Sequence, residues 1–170
     1  MALLAYREGL ENDRAQRVDK SFHYTSAKMA RDLIALLPLS GAVLDAGSGL
    51  NKVWFNALKQ PKYECEIDDG CDFYAWSKKV NWVVGNPPYH ESWKFTEKAI
   101  EVADRGVAWL LNNQALNSHL TPARLQMLYD NGWHYTNIHV VADKRWFGRY
   151  YFLVLQRTEM RFFSWTRSSY

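Results

Sequence analysis

Short apolar runs alternate along this chain with segments whose apolar residues recur at helical spacing. The six runs lie in GAVLDAGSG (41–49), YECEID (63–68), VNWVVG (80–85), GVAWLLN (106–112), HYTNIHVV (134–141) and YYFLVLQR (150–157). Apolar runs of this length, bounded by turn residues, predict strands. Strands that alternate with helices favour a mostly parallel α/β sheet covered on both faces, because parallel neighbours need a crossover connection.

Four segments predict helices: SAKMARDLIALL (26–37), NKVWFNALK (51–59), SWKFTEKAIEVADR (92–105) and TPARLQMLYDNG (121–132). Thr25 or Ser26 can cap the first helix, which stops at Pro38. Pro122 suits a first helical turn. A short connection that contains glycine separates the last two strands, which predicts a closing antiparallel hairpin.

The length of 170 residues predicts one domain. No apolar run approaches the ~18 residues of a membrane span, and the start MALLAYREGLENDR is too short and too charged for a signal peptide. We therefore expect a cytoplasmic protein without a membrane partner. The five histidines are scattered and predict no metal site; Cys65 and Cys71 are interpreted as buried thiols.

The basic residues concentrate near the carboxyl end. Residues 143–170 hold six basic and two acidic side chains, a balance of +4 (six minus two) within a chain of net charge +3, together with nine aromatic residues. Arginine interleaved with aromatic residues suits phosphate contact and base stacking. YYFLVLQR is better explained as a core strand, whereas the flanks RWFGR (145–149) and RFFSWTR (161–167) are compatible with nucleic acid or with charged strand edges.

Two glycines and an acid predict a nucleoside site. Gly47 and Gly49 follow the first strand, where small residues let a ligand approach the backbone. Glu66 lies 21 residues after Asp45, at the end of the next strand, and a carboxylate there can accept both ribose hydroxyls. The third glycine of the dinucleotide fingerprint is absent, since Lys52 takes its place. The pattern favours an adenosine-containing ligand, although an ordinary strand-to-helix turn can also contain glycine.

Two further stretches each have a structural and a functional interpretation. In CDFY (71–74), Asp72 and Phe73 suit an adenine amino group and ring, or a capped helix start with a core phenylalanine. In VVGNPPYH (83–90), the prolines either end a strand in a packed turn or hold carbonyls rigidly for a ligand. His90 and the pair Asn112–Asn113 are assigned to loop surface.

Five segments in this order carry a resemblance: FHYTS (22–26), VLDAGSG (43–49), ECEID (64–68), CDFY and VVGNPPYH. Over about residues 20–157 the chain resembles the S-adenosylmethionine-dependent amino-group methyltransferases, most of all small phage-type enzymes specific for N6 of adenine in DNA. The resemblance implies the Rossmann-like class I methyltransferase sandwich of three layers. It also implies S-adenosylmethionine as the cofactor.

The resemblance implies a role for each matching position. Residues implied to contact the cofactor are Tyr24, Thr25, Asp45, Gly47, Gly49, Glu66, Ile67, Asp72, Phe73 and Asn86. Residues implied to hold and align the acceptor are Asn86, Pro87, Pro88 and Tyr89. Trp146 or Phe147 is a candidate to cover the opposite face of the base. Ser26 departs from the motif, in which proline usually follows the threonine.

The implied chemistry needs alignment more than acid–base catalysis. The lone pair of an exocyclic amine is delocalised into its ring, and an acceptor oxygen on each N–H favours a pyramidal nitrogen. The Asn86 side-chain carbonyl and the Pro87 backbone carbonyl supply two acceptors, which the prolines hold in place. No general base is required, because the extra proton on the methylated nitrogen can leave after the transfer. Tyr89 offers a flat face to a base rotated out of a duplex.

Glu66 and Asp72 are six positions apart, too close for the helix and third strand that usually intervene. We therefore predict a sheet without them, in the order 2-1-4-5-7-6 of the full fold. With this cover missing, we expect an exposed adenine and weak cofactor affinity.

The substrate prediction is adenine in DNA, with three alternatives. These are an adenine or guanine amino group in RNA, a protein glutamine, and an inactive subunit that supports a methylating partner. Residues 1–24 are interpreted as an N-terminal extension and 158–170 as a tail, so a separate target-recognition domain is not expected. The enzyme would then have low sequence specificity, read DNA with its loops and a partner, either a specificity subunit or a second copy of the chain, or act on RNA.

Overall fold

The structure, a computed structural model, describes residues 25–143 and 148–159. The helices are α1 (Ala27–Ile34), α2 (Val53–Ala57), α3 (Ser92–Val102), α4 (Asn113–His119) and α5 (Pro122–Asp130). The strands are β1 (Val43–Ala46), β2 (Lys62–Cys65), β3 (Val80–Gly85), β4 (Ala103–Asn112), β5 (Trp133–Val141) and β6 (Tyr150–Arg157). Among the described helices, none has the length and apolar character needed to cross a membrane.

The six strands form one sheet in the order β2-β1-β3-β4-β6-β5. The pairs β1–β2, β1–β3 and β3–β4 are parallel, and β6 runs antiparallel to both β4 and β5. This is the predicted order with the third strand of the full fold omitted. The mostly parallel sheet and its antiparallel carboxyl-terminal hairpin are confirmed.

Helices cover both faces of the sheet, as the alternation of strands and helices along the chain predicts. Successive side chains of a strand point to opposite faces. Leu44 and Val83 point into one cluster, which includes Phe95 of α3 and Leu116 of α4. Their chain neighbours Val43, Trp82 and Val84 point into the opposite cluster, with Ala30 and Leu33 of α1 and Trp54 of α2. The three-layer arrangement of the prediction is therefore confirmed.

The connection between β2 and β3 spans residues 66–79 and holds two 3₁₀ turns, Ile67–Asp69 and Phe73–Ala75. The amides of Asp69 and Cys71 both donate to the Glu66 carbonyl, at 3.1 and 3.0 Å, and so fold the segment back on itself. The missing strand is thus replaced by a compact loop, as the six-position spacing of Glu66 and Asp72 predicts.

The prediction of two buried thiols is wrong. Cys65 and Cys71 form a disulfide, with their Cα atoms 5.1 Å apart. Because the 3₁₀ turn at Ile67–Asp69 reverses the chain, two residues six positions apart meet across the loop.

The assignment of Asn112–Asn113 to a loop is also wrong, although Asn113 is exposed at the surface. Asn112 ends β4 and caps α4, where its side-chain oxygen accepts the Ala115 amide at 2.8 Å. Ala115, Leu116 and His119 bury one side of this helix. His90, by contrast, has a side chain that is 80% exposed and does lie on the surface.

Candidate functional site

The loops that follow β1, β2 and β3 meet at one edge of the sheet, because these three strands are parallel neighbours. The chain leaves β1 towards β2 on one side and returns to β3 on the other. In open α/β sheets, ligands bind beyond the strand ends at such a reversal. The loops carry Gly47–Gly49, Glu66–Asp72 and Asn86–Tyr89, which include most of the predicted site residues.

The glycine loop after β1 is tied to the end of β2. The amides of Gly47 and Ser48 both donate to the Cys65 carbonyl, at 2.8 and 3.2 Å, and the Gly49 amide donates to the Glu66 carboxylate at 2.5 Å. Gly49 has a φ of +65°, and a methyl group added there would meet no atom within 4 Å. Open space therefore lies next to the half-buried Glu66 carboxylate.

Asp45 lies beneath this loop and is fully buried. One of its oxygens accepts the Phe55 amide at 2.8 Å, which ties β1 to α2. Burial raises the Asp45 pKa to about 7, the Phe55 hydrogen bond opposes the shift, and the charges of Glu64 and Glu66 add to it. Asp45 thus supports the loop from below, and its carboxylate is not open to solvent in this structure.

Gly85, which the sequence analysis did not single out, explains how closely β1 and β3 approach. Its φ is +155°, and a Cβ atom there would lie 2.9 Å from the Ala46 carbonyl and 3.3 Å from Asp45 Oδ1. A side chain at this position would push the Asn86–Tyr89 segment away from the glycine loop. The sequence carried a signal for this position, because a glycine in a strand often marks a place where another backbone approaches closely.

The loop after β2 presents Ile67 to solvent, with 64% of its surface exposed. Asp72 is exposed and caps the following turn, where it accepts the Tyr74 amide at 2.9 Å. Phe73 is buried against Phe95, with ring centroids 5.1 Å apart. Of the two residues predicted to pack on an adenine ring, Ile67 is the accessible one, and Phe73 belongs to the core.

Lys52 braces the same loop. Its ammonium group lies 2.6 Å from Glu64 and 3.0 Å from Asp69, and its backbone is left-handed with a φ of +47°. The residue that replaces the third glycine of the dinucleotide fingerprint therefore keeps the left-handed backbone and adds an ionic tie. These ties hold the loop beside Glu66.

The Asn86–Tyr89 segment directly follows β3. Pro87 is buried, Pro88 is exposed, and Asn86 and Tyr89 are half-buried. Burial raises the pKa of the Tyr89 phenol, and a hydrogen bond from the Asn86 side chain opposes that shift. Tyr89 also lies against Tyr150 of β6, with ring centroids 6.3 Å apart.

The carbonyls of this segment differ in their partners. The Pro88 carbonyl accepts the Glu91 amide at 2.9 Å, and the Tyr89 carbonyl accepts the Ser92 hydroxyl at 3.0 Å. Within residues 25–143 and 148–159, no donor reaches the Pro87 carbonyl. That carbonyl therefore keeps its acceptor capacity.

Three of the predicted site residues, Tyr24, Trp146 and Phe147, lie outside the described residues, as does most of the two basic flanks. Thr25 is described and is buried immediately before the Ser26 cap of α1. The remaining predicted residues fall on the three loops or the strand ends beneath them. Side chains that the sequence analysis missed are Ser92, His119 and Tyr135, which lie behind the Asn86–Tyr89 segment.

No protein-family model and no curated protein matches the sequence. Solved structures do match the fold. Magnesium protoporphyrin IX methyltransferase from Synechocystis PCC 6803, crystallised with S-adenosylmethionine, is 16% identical, with 77% of each chain covered and a TM-score of 0.56. The ribosomal protein L11 methylase from Lactobacillus delbrueckii subsp. bulgaricus is 12% identical, with 78% of this chain and 79% of that one covered and a TM-score of 0.56.

The 1,6-didemethyltoxoflavin-N1-methyltransferase from Burkholderia thailandensis, crystallised with S-adenosylhomocysteine, is 11% identical. The alignment covers 91% of this chain and 88% of that one, with a TM-score of 0.56. These three proteins are named for a porphyrin, a ribosomal protein and a toxoflavin, so their shared fold does not select a substrate. The chain has the Rossmann-like fold of these methyltransferases.

Proposed function

We propose that this protein is a methyltransferase that uses S-adenosylmethionine to methylate the exocyclic amino group of adenine in DNA. One observation carries the proposal: the Asn86–Tyr89 segment follows β3 directly, next to the glycine loop of β1 and the acid of β2. An acceptor site for a planar amine then adjoins a nucleoside site across the crevice where such sheets bind ligands.

The loops after β1 and β2 fit the nucleoside part of the cofactor. Glu66 uses one carboxylate oxygen for the Gly49 amide, which leaves the other for ribose hydroxyls. The open space at Gly49 admits a ligand close to the backbone, and the exposed Ile67 offers an apolar surface for a flat ring. Bound there, S-adenosylmethionine supplies an activated methyl group.

The Asn86–Tyr89 segment fits an amino group. The Pro87 carbonyl and the Asn86 side-chain oxygen each accept one N–H of the substrate, so that the lone pair of the nitrogen points out of the ring plane. Because two consecutive prolines fix their own φ angles, the carbonyl keeps its direction without reorganisation during the reaction. Alignment of this kind lowers the activation free energy, by about 7–11 kcal/mol in well-oriented reactions.

The choice of DNA rests on the sequence resemblance and on the charge distribution. The basic, aromatic-rich residues 143–170 suit a phosphate backbone and stacked bases. The target adenine reaches the crevice single-stranded or rotated out of its duplex. A specificity subunit or a second copy of the chain supplies sequence recognition where the loops do not.

The test is methyl transfer from labelled S-adenosylmethionine to four separate substrates: duplex DNA, single-stranded DNA, structured RNA and a peptide release factor. We expect label in DNA, on N6 of adenine after digestion to nucleosides, and none with Asn86→Ala. Label in RNA alone would replace DNA with RNA as the substrate. Label only in protein would overturn the proposal.

A further inference from the structure

A continuous run of buried hydrogen bonds ends on the Tyr89 carbonyl. The Tyr135 hydroxyl lies 3.0 Å from His119 Nδ1, His119 Nε2 lies 3.2 Å from Ser92 Oγ, and Ser92 Oγ lies 3.0 Å from the Tyr89 carbonyl oxygen. Exposure is 4% for Tyr135, 0% for His119 and 1% for Ser92. The run connects β5, the end of α4 and the start of α3 to the Asn86–Tyr89 segment.

The direction of each hydrogen bond follows from the atoms available. A carbonyl only accepts, so the single Ser92 hydroxyl proton points to Tyr89. Ser92 Oγ must then accept from His119, which assigns the proton of the imidazole to Nε2 and leaves Nδ1 to accept from the Tyr135 hydroxyl. Burial and the nearby Arg124 charge lower the His119 pKa to about 4, so the ring is neutral near pH 7. One tautomer satisfies every group of the run.

We propose that His119 is a positioning residue for the Asn86–Tyr89 segment and acts on it through the Ser92 hydroxyl; the catalytic part of this inference rests on the proposed methyl transfer. The Ser92 amide also donates to the Tyr89 carbonyl, but at 3.4 Å, so the hydroxyl makes the shorter bond. With Pro87 and Pro88 fixed in φ, the orientation of the Tyr89 peptide restricts how far the Pro87 carbonyl can turn. The run therefore holds the amine acceptor from behind, without contact with the substrate.

Thr96 offers a matched comparison in the same part of the core. It is fully buried, donates to the Ser92 carbonyl at 2.9 Å and accepts the Trp109 indole N–H at 2.9 Å. It therefore shares Ser92 and α3 with the run but makes no bond to the Asn86–Tyr89 segment. Thr96→Val removes buried hydrogen bonds without breaking the connection from His119 to Tyr89.

Two substitutions at His119 separate its hydrogen bond to Ser92 from its hydrogen bond to Tyr135. In His119→Gln, the amide nitrogen occupies the position of Nε2 and can still donate to Ser92. In His119→Asn, the amide oxygen occupies the position of Nδ1 and can accept from Tyr135, but nothing reaches Ser92. Ser92→Ala removes the donor to Tyr89 and serves as a second variant if His119→Asn does not fold.

Two measurements are made below the melting temperature of each variant. The first is kcat for DNA methylation, with cofactor affinity by calorimetry. We expect His119→Asn and Ser92→Ala to lower kcat about 10- to 100-fold, the cost of a small misplacement. We expect the cofactor affinity of both to remain, and His119→Gln and Thr96→Val to stay near the wild-type kcat.

The second measurement is amide hydrogen exchange at Glu91 and Ser92 in the protein without ligand, because these amides donate to the Pro88 and Tyr89 carbonyls. We expect faster exchange in His119→Asn than in His119→Gln. Equal exchange in the two variants, or an equal kcat, would overturn the positioning role, as would a loss in Thr96→Val as large as in Ser92→Ala. If the wild-type protein methylates no nucleic acid, the proposed function fails, and the exchange comparison still tests the run.

Discussion

The Gly49 amide donates a hydrogen bond to the Glu66 carboxylate across the ends of two neighbouring strands, with a length of 2.5 Å. The bond orients Glu66 before any ligand arrives, and Lys52 holds the following loop through Asp69. A preformed acceptor lowers the ordering cost of binding. Where the third strand of the full fold is missing, the Gly49–Glu66 hydrogen bond and the Lys52–Asp69 ion pair hold the loops of the site.

Glu66→Ala is expected to weaken S-adenosylmethionine binding about 10- to 100-fold, because hydrogen bonds to a charged group contribute about 1.5–3 kcal/mol. Glu66→Gln should lie between the alanine variant and the wild type, since its amide oxygen can still accept from Gly49. Titration calorimetry measures the affinities. Asp68→Asn, an exposed neighbour in the same loop, is the control. An unchanged affinity in Glu66→Ala would remove Glu66 from the cofactor site.

Asp45 is expected to make stability depend on pH. Its pKa is about 7 in the folded protein against 3.8 for the ordinary carboxyl, so the folded state keeps a proton that the unfolded state loses. The contribution of Asp45 to the free energy of unfolding therefore falls as pH rises from about 4 to about 7, by about 4 kcal/mol at most. Above about pH 7 this contribution no longer changes.

Asp45→Asn removes this titration and keeps an oxygen for the Phe55 amide. Urea unfolding of both proteins at several pH values should show the wild type losing stability relative to the variant as pH rises through the window. The exposed Asp32, paired with Lys28, supplies the control Asp32→Asn. A constant difference between wild type and Asp45→Asn would mean that Asp45 has the same pKa in the folded and the unfolded protein.

Asn86→Ala is expected to lower the rate of methyl transfer by about 100-fold or more, the usual loss when one preorganised hydrogen-bonding group is removed from a transition state. Single-turnover kinetics measure the chemical step directly. His90→Ala, at the exposed residue that directly follows this segment, should keep the wild-type rate. A rate for Asn86→Ala equal to that of His90→Ala would show that the Asn86 side chain does not hold the amine.

Gly85→Ala is expected to destabilise the fold by about 1–3 kcal/mol, because its Cβ would lie 2.9 Å from the Ala46 carbonyl oxygen and the backbone of β1 or β3 would have to shift. Gly70→Ala is the matched substitution: Gly70 also has a positive φ, of +82°, but its Cβ would meet no atom within 4 Å. Thermal unfolding should therefore show the larger loss at Gly85. Equal losses would mean that backbone strain alone, and not the contact between β1 and β3, sets the cost.

Much of the sheet could be predicted from the sequence because its signals are local. Apolar runs such as VNWVVG need no knowledge of their neighbours to be recognised as strands. The short gap between Glu66 and Asp72 excluded a strand by length alone. Where local signals pointed the other way, the prediction failed: Asn112–Asn113 is typical of a loop, but the cap at Asn112 and the buried side of α4 make it a helix start.

The sequence by itself determined which segments become strands and placed a glycine turn, an acid and Asn-Pro-Pro-Tyr at three strand ends, since each depends on residues close together in the chain. The order of the strands in the sheet was implied by the family resemblance, and the structure has that order. Only the tertiary structure decided how these groups are held. Ser92 meets His119 across 27 positions, and His119 meets Tyr135 across 16. No periodicity encodes such contacts, because they arise when β5, α4 and α3 pack on one another and a buried polar group must find a partner.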